Sequence, residues 1–181
     1  MTTKLNTWEL DPAHSSANFS VKHMMIAKVH GGFKSVKGKM QFDRNDLAHS
    51  SIEATIDASS IDTREPKRDE HLKSADFFDV QKYPALTFKS KRIEEADEDR
   101  FKVAGDLTIR GVTREVVLDV ESSLDEIKDP YGNVKIGASA ATRIKRKDFG
   151  LNWNAALEAG GVLVGDDITI NLDLQFMKKA I

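Results

Sequence analysis

The sequence predicts an all-β chain closed into a single up-and-down antiparallel β-barrel of about eight strands. Three observations predict it. Apolar and polar residues alternate with period two along most of the chain, which marks strands with one buried face. The links between the alternating runs are mostly short and turn-like, whereas parallel strands need crossovers of a dozen or more residues. Only about one stretch is helical, too little to cover the apolar faces of so many strands. The strands must therefore cover one another, and closing the sheet also removes its edges.

The runs can be followed in order. Ala17, Phe19 and Val21 alternate with Asn18, Ser20 and Lys22. Residues 31–42 follow as one glycine-rich, less regular run. Ile52, Ala54 and Ile56 face away from Glu53, Thr55 and Asp57. Leu86 and Phe88 alternate with Thr87 and Lys89. Phe101, Val103, Leu107 and Ile109 form the next face, and Val112, Val116, Leu118 and Val120 the one after. Ile136, Ala138, Ala140 and Ile144 share a parity with Thr142 and Arg146. The last run is the cleanest: Ile168, Ile170, Leu172, Leu174 and Phe176 against Thr169, Asn171, Asp173 and Gln175. Turns are read at residues 43–46, 96–99 and 129–133.

Two stretches break the alternation. Residues 63–78 are charged and helix-prone. Pro66 suits a first helical turn, and Glu65, Asp69 and Glu70 favour a helix N-terminal region, so a short helix is expected over about residues 66–75. Residues 152–161 hold two glycines with Trp153, Ala155, Ala156 and Leu157. They read as an irregular rim segment, loop or short helix, before the last strand.

Composition narrows the classes. A chain of 181 residues suits one domain, residues 1–181, with room for a sizeable core. Lys and Arg number 27 against 29 Asp and Glu, a net charge of -2. That balance argues against a nucleic-acid partner and gives no reason to expect docking on anionic membranes. With no cysteine there are no disulfides, thiolate metal sites or cysteine nucleophiles. No stretch approaches the roughly 20 apolar residues of a spanning helix, so no integral membrane segment is expected. Residues 1–8 do not read as a signal peptide, so the expected location is cytoplasmic, or periplasmic or secreted if a leader was removed beforehand.

Whether the barrel is hollow stays open at this level. The inward set mixes bulky Phe19, Phe33, Phe88, Phe101 and Phe176 with small Ala17, Ala54, Gly105, Ala138 and Ala140. An eight-stranded barrel is either filled by its side chains or holds one small ligand.

Five motifs in order carry a resemblance. They are Trp8 to Ser15 continuing through Phe19 to His23; Arg68 to Leu72 with Asp76 to Asp79 and Tyr83-Pro84; Gly105 to Gly111; Ile144 to Leu151; and Val164 to Ile168. Together they span about Trp8 to Phe176, and in that set the chain resembles the YceI-like family of polyisoprenoid-binding proteins. The resemblance implies a lipocalin-like barrel with a helix on or near it. It also implies a long isoprenoid lipid, a polyprenyl phosphate or quinone-type molecule, bound, stored or transported in an internal apolar channel. Many members carry a leader; a chain without one fits a cytoplasmic lipid reservoir or chaperone.

On that reading the expected channel residues are Phe19, Val21, Phe33, Ile52, Ile56, Leu86, Phe88, Leu107, Val120, Trp153 and Phe176. Trp153 either closes one end over the lipid or is a core residue. The head-group candidates are Arg68, His71, Arg146 and His23. Arg68 suits a phosphate because a guanidinium fork matches its oxygens, but the pattern favours Arg68 and Asp69 as ion-pairing anchors for the helix. Arg146 points inward by parity and needs either a head group or an internal salt bridge, since an unpaired buried charge is costly. His23 shares the parity of Phe19 and Val21.

No catalytic residue is assigned. Asp11, His14 and Ser15 invite a triad, but neighbouring strand residues point to opposite faces, and His14 is expected to tie the first strand to its neighbour. His14, His23, His30, His49 and His71 show no metal-ligand spacing, so no metal is expected. Neither is a cofactor beyond the bound lipid, and a homodimer is left open. The rival readings are a hydrolase-like enzyme on a lipid or lipid phosphate using His14, His23 or His71, and a stress-related structural barrel without ligand.

Overall fold

The alternating runs become strands, and the breaks between them set the corners of a barrel. The computed structural model describes residues 5–158 and 160–180. Residues 1–4, part of the segment read as lacking a leader, lie outside them. Strands β1 (Asn6–Leu10) and β2 (Ser16–His23) run in one line, parted by a 3-10 turn at Pro12–His14. Pro12 has no N–H for a ladder, and the Asp11 carboxylate accepts from the Ala13 N–H at 3.0 Å.

β3 (Ala27–Phe33) and β4 (Val36–Phe42) return beside β2 and β1. The break between them is occupied by Ser60, whose carbonyl and hydroxyl accept from the Lys34 and Ser35 N–H groups. Residues 31–42, which read as one run, are therefore two strands meeting at a corner. β5 (Ser51–Asp57) pairs with β4, and β6 (Ile61–Asp62) with β3.

From there the chain meanders through β7 (Ala85–Asp97), β8 (Arg100–Ile109) and β9 (Val112–Glu121). A short β10 (Ile127–Lys128) leads by hairpin into β11 (Val134–Lys145), and β12 (Val164–Lys178) follows. β11 pairs with β12 along nearly its full length, and β12 closes the ring onto β1 and β2. With β1/β2, β3/β4 and β5/β6 each taken as one line, the ring is an eight-stranded antiparallel barrel in up-and-down order, as the sequence predicts.

Local chemistry fixes the hairpins. The β8–β9 link is Arg110–Gly111, with φ of 50° and 71°, left-handed at both positions as a two-residue hairpin turn needs. The β7–β8 link is only Glu98–Asp99, because β7 continues to Asp97. At residues 129–133 the Asp129 carboxylate accepts from the Tyr131 and Asn133 N–H groups. The loosest seam is β9–β11, paired only between residues 119–121 and 139–141. Beyond that pairing a 3-10 turn at Arg146–Phe149 packs against both strands, with Phe149 1% exposed.

The helix α1 spans Pro66–Lys73, two residues shorter than 66–75. Pro66 opens it and the Glu65 carboxylate caps the Lys67 N–H. It ends at Ser74, whose hydroxyl donates to the His71 carbonyl. The chain then folds back: the Phe78 and Val80 N–H groups donate to the Leu72 and Lys73 carbonyls. This places Phe77 and Phe78 beneath the helix. Trp8, Leu10, Met40, Ile136 and Phe176 cluster toward one end of the barrel, and Phe77, Ile109, Ile144, Phe149 and Leu151 toward the α1 end.

Candidate functional site

Between those two clusters the barrel is hollow. The cavity measures about 260 Å³, and its wall is almost wholly apolar. Inward positions of most strands contribute to it: Phe19 and Val21 from β2, Phe33 from β3, Ile52 and Ile56 from β5, Leu86 and Phe88 from β7, Leu107 from β8, Val120 from β9 and Phe176 from β12. Ala17, Ala54, Ala138 and Ala140 lie on the same wall, and their small side chains leave it room. Gly105 does not, because the Phe88 ring covers it.

The wall also takes in residues that alternation did not single out. Leu72, Phe77 and Phe78 close the α1 end, and Leu151 joins them from the segment after β11. The available signal was Phe77-Phe78, an aromatic pair directly after a polar helix.

Trp153 is not on the wall. Its ring packs against His71 and Phe77, with centroids 4.7 Å and 5.4 Å away. Phe77 lines the cavity, so Trp153 stands one layer behind it. The irregular segment around Trp153 is a loop with one isolated bridge, Ala156 to Val162.

The polar residues that touch the cavity all have protein partners. Ser122 donates to the Gly137 carbonyl at 2.7 Å, and Thr142 to the Val117 carbonyl at 2.9 Å. Asn18 donates to Ser16, and Glu53 pairs with Lys39 and Lys89.

Arg146 is 2% exposed. Its Nε donates to the Gly165 carbonyl at 2.8 Å, and Nη1 to those of Leu151 and Trp153 at 2.6 and 2.8 Å. Nη2 donates to the Val164 carbonyl at 3.2 Å. The expected internal salt bridge is not formed: among the described residues no carboxylate reaches Arg146, and four backbone carbonyls surround its charge. Burial pushes its pKa down from the ordinary guanidinium value, and the nearby Asp166 charge opposes that. Chemically, Arg146 clasps the residue 151–165 loop to the end of β11.

The other head-group candidates lie off the wall. Arg68 donates through Nε to the Thr63 hydroxyl and through Nη2 to the Thr63 carbonyl, both at 2.7 Å. Asp69 accepts from the Thr63 hydroxyl and N–H at 2.5 and 2.9 Å. Arg68 and Asp69 thus anchor α1, through Thr63 rather than through ion pairs with the barrel. His71 pairs with Asp76 at 2.8 Å. His23 ends β2, half-buried, beside Val164.

His14 does not tie β1 to its neighbour. It is 61% exposed at the side chain and pairs through Nδ1 with its own turn's Asp11 at 2.8 Å. That pairing is the main reason the Asp11 carboxyl sits below the usual range; Lys135, at 3.3 Å, adds to it. The cross-strand tie comes from Ser15, whose hydroxyl accepts from the Gln175 N–H at 3.0 Å. Among the described residues no group of three His, Asp or Glu side chains is placed to hold a metal ion. No described helix is long and apolar enough to cross a membrane.

Known proteins resemble this chain in sequence or in fold. A UPF0312 protein of Staphylococcus aureus (strain MSSA476) is 38% identical over 172 residues, covering 95% of this chain and 98% of its own. The Campylobacter jejuni YCEI crystal structure superposes with a TM-score of 0.73 at 35% identity, covering 88% of this chain and 90% of its own. BcnA of Burkholderia cenocepacia gives 0.80 at 26%, covering 92% and 98%. A polyisoprenoid-binding domain from Saccharophagus degradans gives 0.72 at 16%, covering 97% and 100%, a likeness of fold. The YceI-like domain model matches residues 8–176, so the chain belongs to the YceI-like family.

Proposed function

We propose that the protein is a non-catalytic carrier that holds the hydrocarbon tail of a long isoprenoid lipid inside its barrel. One observation carries this reading: a continuous apolar cavity whose few polar neighbours are already satisfied by the protein. Such a wall offers little to a hydrogen-bonding group, its one cation being the carbonyl-bound Arg146, and much to a hydrocarbon. An apolar void of about 150 Å³ already stays dry and takes a benzene ring. Each buried CH2 gains about 0.8 kcal/mol, so a five-carbon isoprene unit gains about 4 kcal/mol before the cost of ordering it. Retention then scales with tail length, and the head group stays outside the cavity at the α1 end, where Leu72, Phe77 and Phe78 form the wall.

The hollow speaks against a solid structural barrel. His14, His23 and His71, which an enzyme acting inside the barrel would need, all lie off the cavity wall. The family resemblance points to the same ligand class, and the Saccharophagus degradans domain that shares the fold is a polyisoprenoid-binding domain.

The test is uptake of a polyprenyl phosphate and of a quinone with an isoprenoid tail, read by native mass spectrometry. Wild type and His71→Ala should take up lipid, while Ala138→Phe, which fills the tube, should not. Equal uptake by Ala138→Phe, or loss of uptake in His71→Ala with Ala138→Phe unaffected, would overturn the proposal.

A further inference from the structure

We infer that the β2–β3 tip is a docking surface for an anionic lipid bilayer. The tip is Met24, Met25 and Ile26, which are 43%, 63% and 85% exposed. Large apolar residues at such exposure in a row are unusual on a soluble surface. Two of them hold left-handed backbone, with φ of 51° at Met24 and 59° at Met25, positions that glycine or asparagine normally fill. The turn therefore keeps apolar side chains at a place where local preference would remove them.

The tip is held against a second apolar loop. The Met24 N–H donates to the Leu163 carbonyl at 2.8 Å, and Met25 Sδ occupies the space that a Cβ on Gly161 would need. Val162 beside it is 42% exposed. Residues 152–163 carry a single charge, on Glu158. The two loops thus present one largely apolar surface, with the exposed Glu158 as its one charge.

The charges beneath it give the partner its sign. Lys22 and Lys28 face each other across the β2–β3 ladder, both exposed, and neither is in an ion pair among the described residues. Like charges directly opposite in a sheet repel, so the pair is complementary to an anionic surface. The nearby carboxylate of Asp167 is taken by Lys145 at 3.0 Å. An apolar tip above unpaired lysines is the arrangement that inserts between acyl chains while the cations meet anionic head groups. The overall charge of -2 hides this local order. Val21 and Val164, both on the cavity wall, stand next to the tip, so docking sets the α1 end of the barrel on the membrane. The inference goes beyond the carrier reading and does not rest on it, since vesicle binding needs no cavity ligand.

The experiment is co-sedimentation of the full chain with phosphatidylcholine vesicles, with and without phosphatidylglycerol. The wild type should bind the anionic vesicles and be released by salt. The Met24→Ser/Met25→Ser/Ile26→Ser variant should bind roughly tenfold more weakly, and Lys22→Glu/Lys28→Glu no better than to neutral vesicles. Melting temperatures should stay near wild type, because these side chains are exposed. Failure of the wild type to bind, or equal binding by the tip variant, would overturn the inference. So would a tip variant that dissociates a dimer in sedimentation velocity without losing vesicle binding, since a second copy would then be the occupant.

Discussion

The ring of Phe88 lies where a side chain on Gly105 would have to be: a Cβ there would come within 2.5 Å of Phe88 Cζ and 2.6 Å of the Lys89 carbonyl oxygen. β7 and β8 lose their regular register beside it, between Ser90 and Arg92. The glycine lets a large ring fold over the opposing backbone and leaves the centre of the barrel clear.

Gly105→Ala should therefore destabilise the fold. Overpacking of this kind costs about 1–3 kcal/mol, and each kcal/mol lowers the melting temperature by roughly 2–4 °C in a chain of this size. Thermal unfolding by circular dichroism checks it. An unchanged melting temperature would mean that Phe88 can swing aside without penalty.

Arg146→Met should cost more. It removes a donor from four carbonyls in the residue 151–165 segment, of which Val164 keeps another in the Asn154 amide, and a buried unsatisfied group costs about 1–3 kcal/mol. A loss of about 3 kcal/mol or more is expected in urea unfolding, with faster hydrogen exchange confined first to residues 151–165. Arg146→Lys should not rescue it, because one ammonium cannot reach carbonyls spread around a planar fork.

Thr63→Val should loosen α1 while leaving the barrel closed. Thr63 is 3% exposed and is the shared partner of Arg68 and Asp69. A stability loss of about 1–3 kcal/mol and faster exchange of a bound lipid between protein copies are expected, since Leu72, Phe77 and Phe78 move with the helix. Slower or unchanged lipid exchange would place the way in elsewhere.

Acid should remove one identifiable contribution. The Asp129 carboxyl is held below the usual carboxylate range, first by the Asn133 side-chain hydrogen bond and then by the Asn133 and Tyr131 N–H groups and Lys135, against desolvation. A depressed folded pKa stabilises the fold above the unfolded value, near 3.9, and that contribution vanishes as pH falls through the folded value. Wild type should therefore exceed Asp129→Asn in urea midpoint at pH 7, and the gap should close below roughly pH 4. A gap independent of pH would refute the assignment.

The barrel was legible because alternation carries through folding: Ile168, Ile170, Leu172, Leu174 and Phe176 all line the cavity, while Asn171 and Asp173 between them are exposed. Phe19, Val21 and Phe176 reached the cavity wall by the same logic. What alternation could not carry was the α1 end. Leu72, Phe77 and Phe78 reach the wall through a fold-back held by Leu72 and Lys73 carbonyls, a tertiary arrangement with no periodic trace. Parity did place Arg146 inward, but it could not foresee that backbone carbonyls, rather than a carboxylate, would surround it. The hollow itself was undecidable from composition: Gly105 gives its space to Phe88, whereas Ala138 and Ala140 give theirs to the cavity. Only the register distinguishes the two.

The most direct measurement is a crystal structure of the protein isolated from cells without detergent. Continuous elongated density is expected, running from beneath Leu72, Phe77 and Phe78 toward Leu10 and Phe176 and branched at isoprenoid spacing. A barrel whose interior is filled by its own side chains, with no room for a hydrocarbon chain, would contradict it.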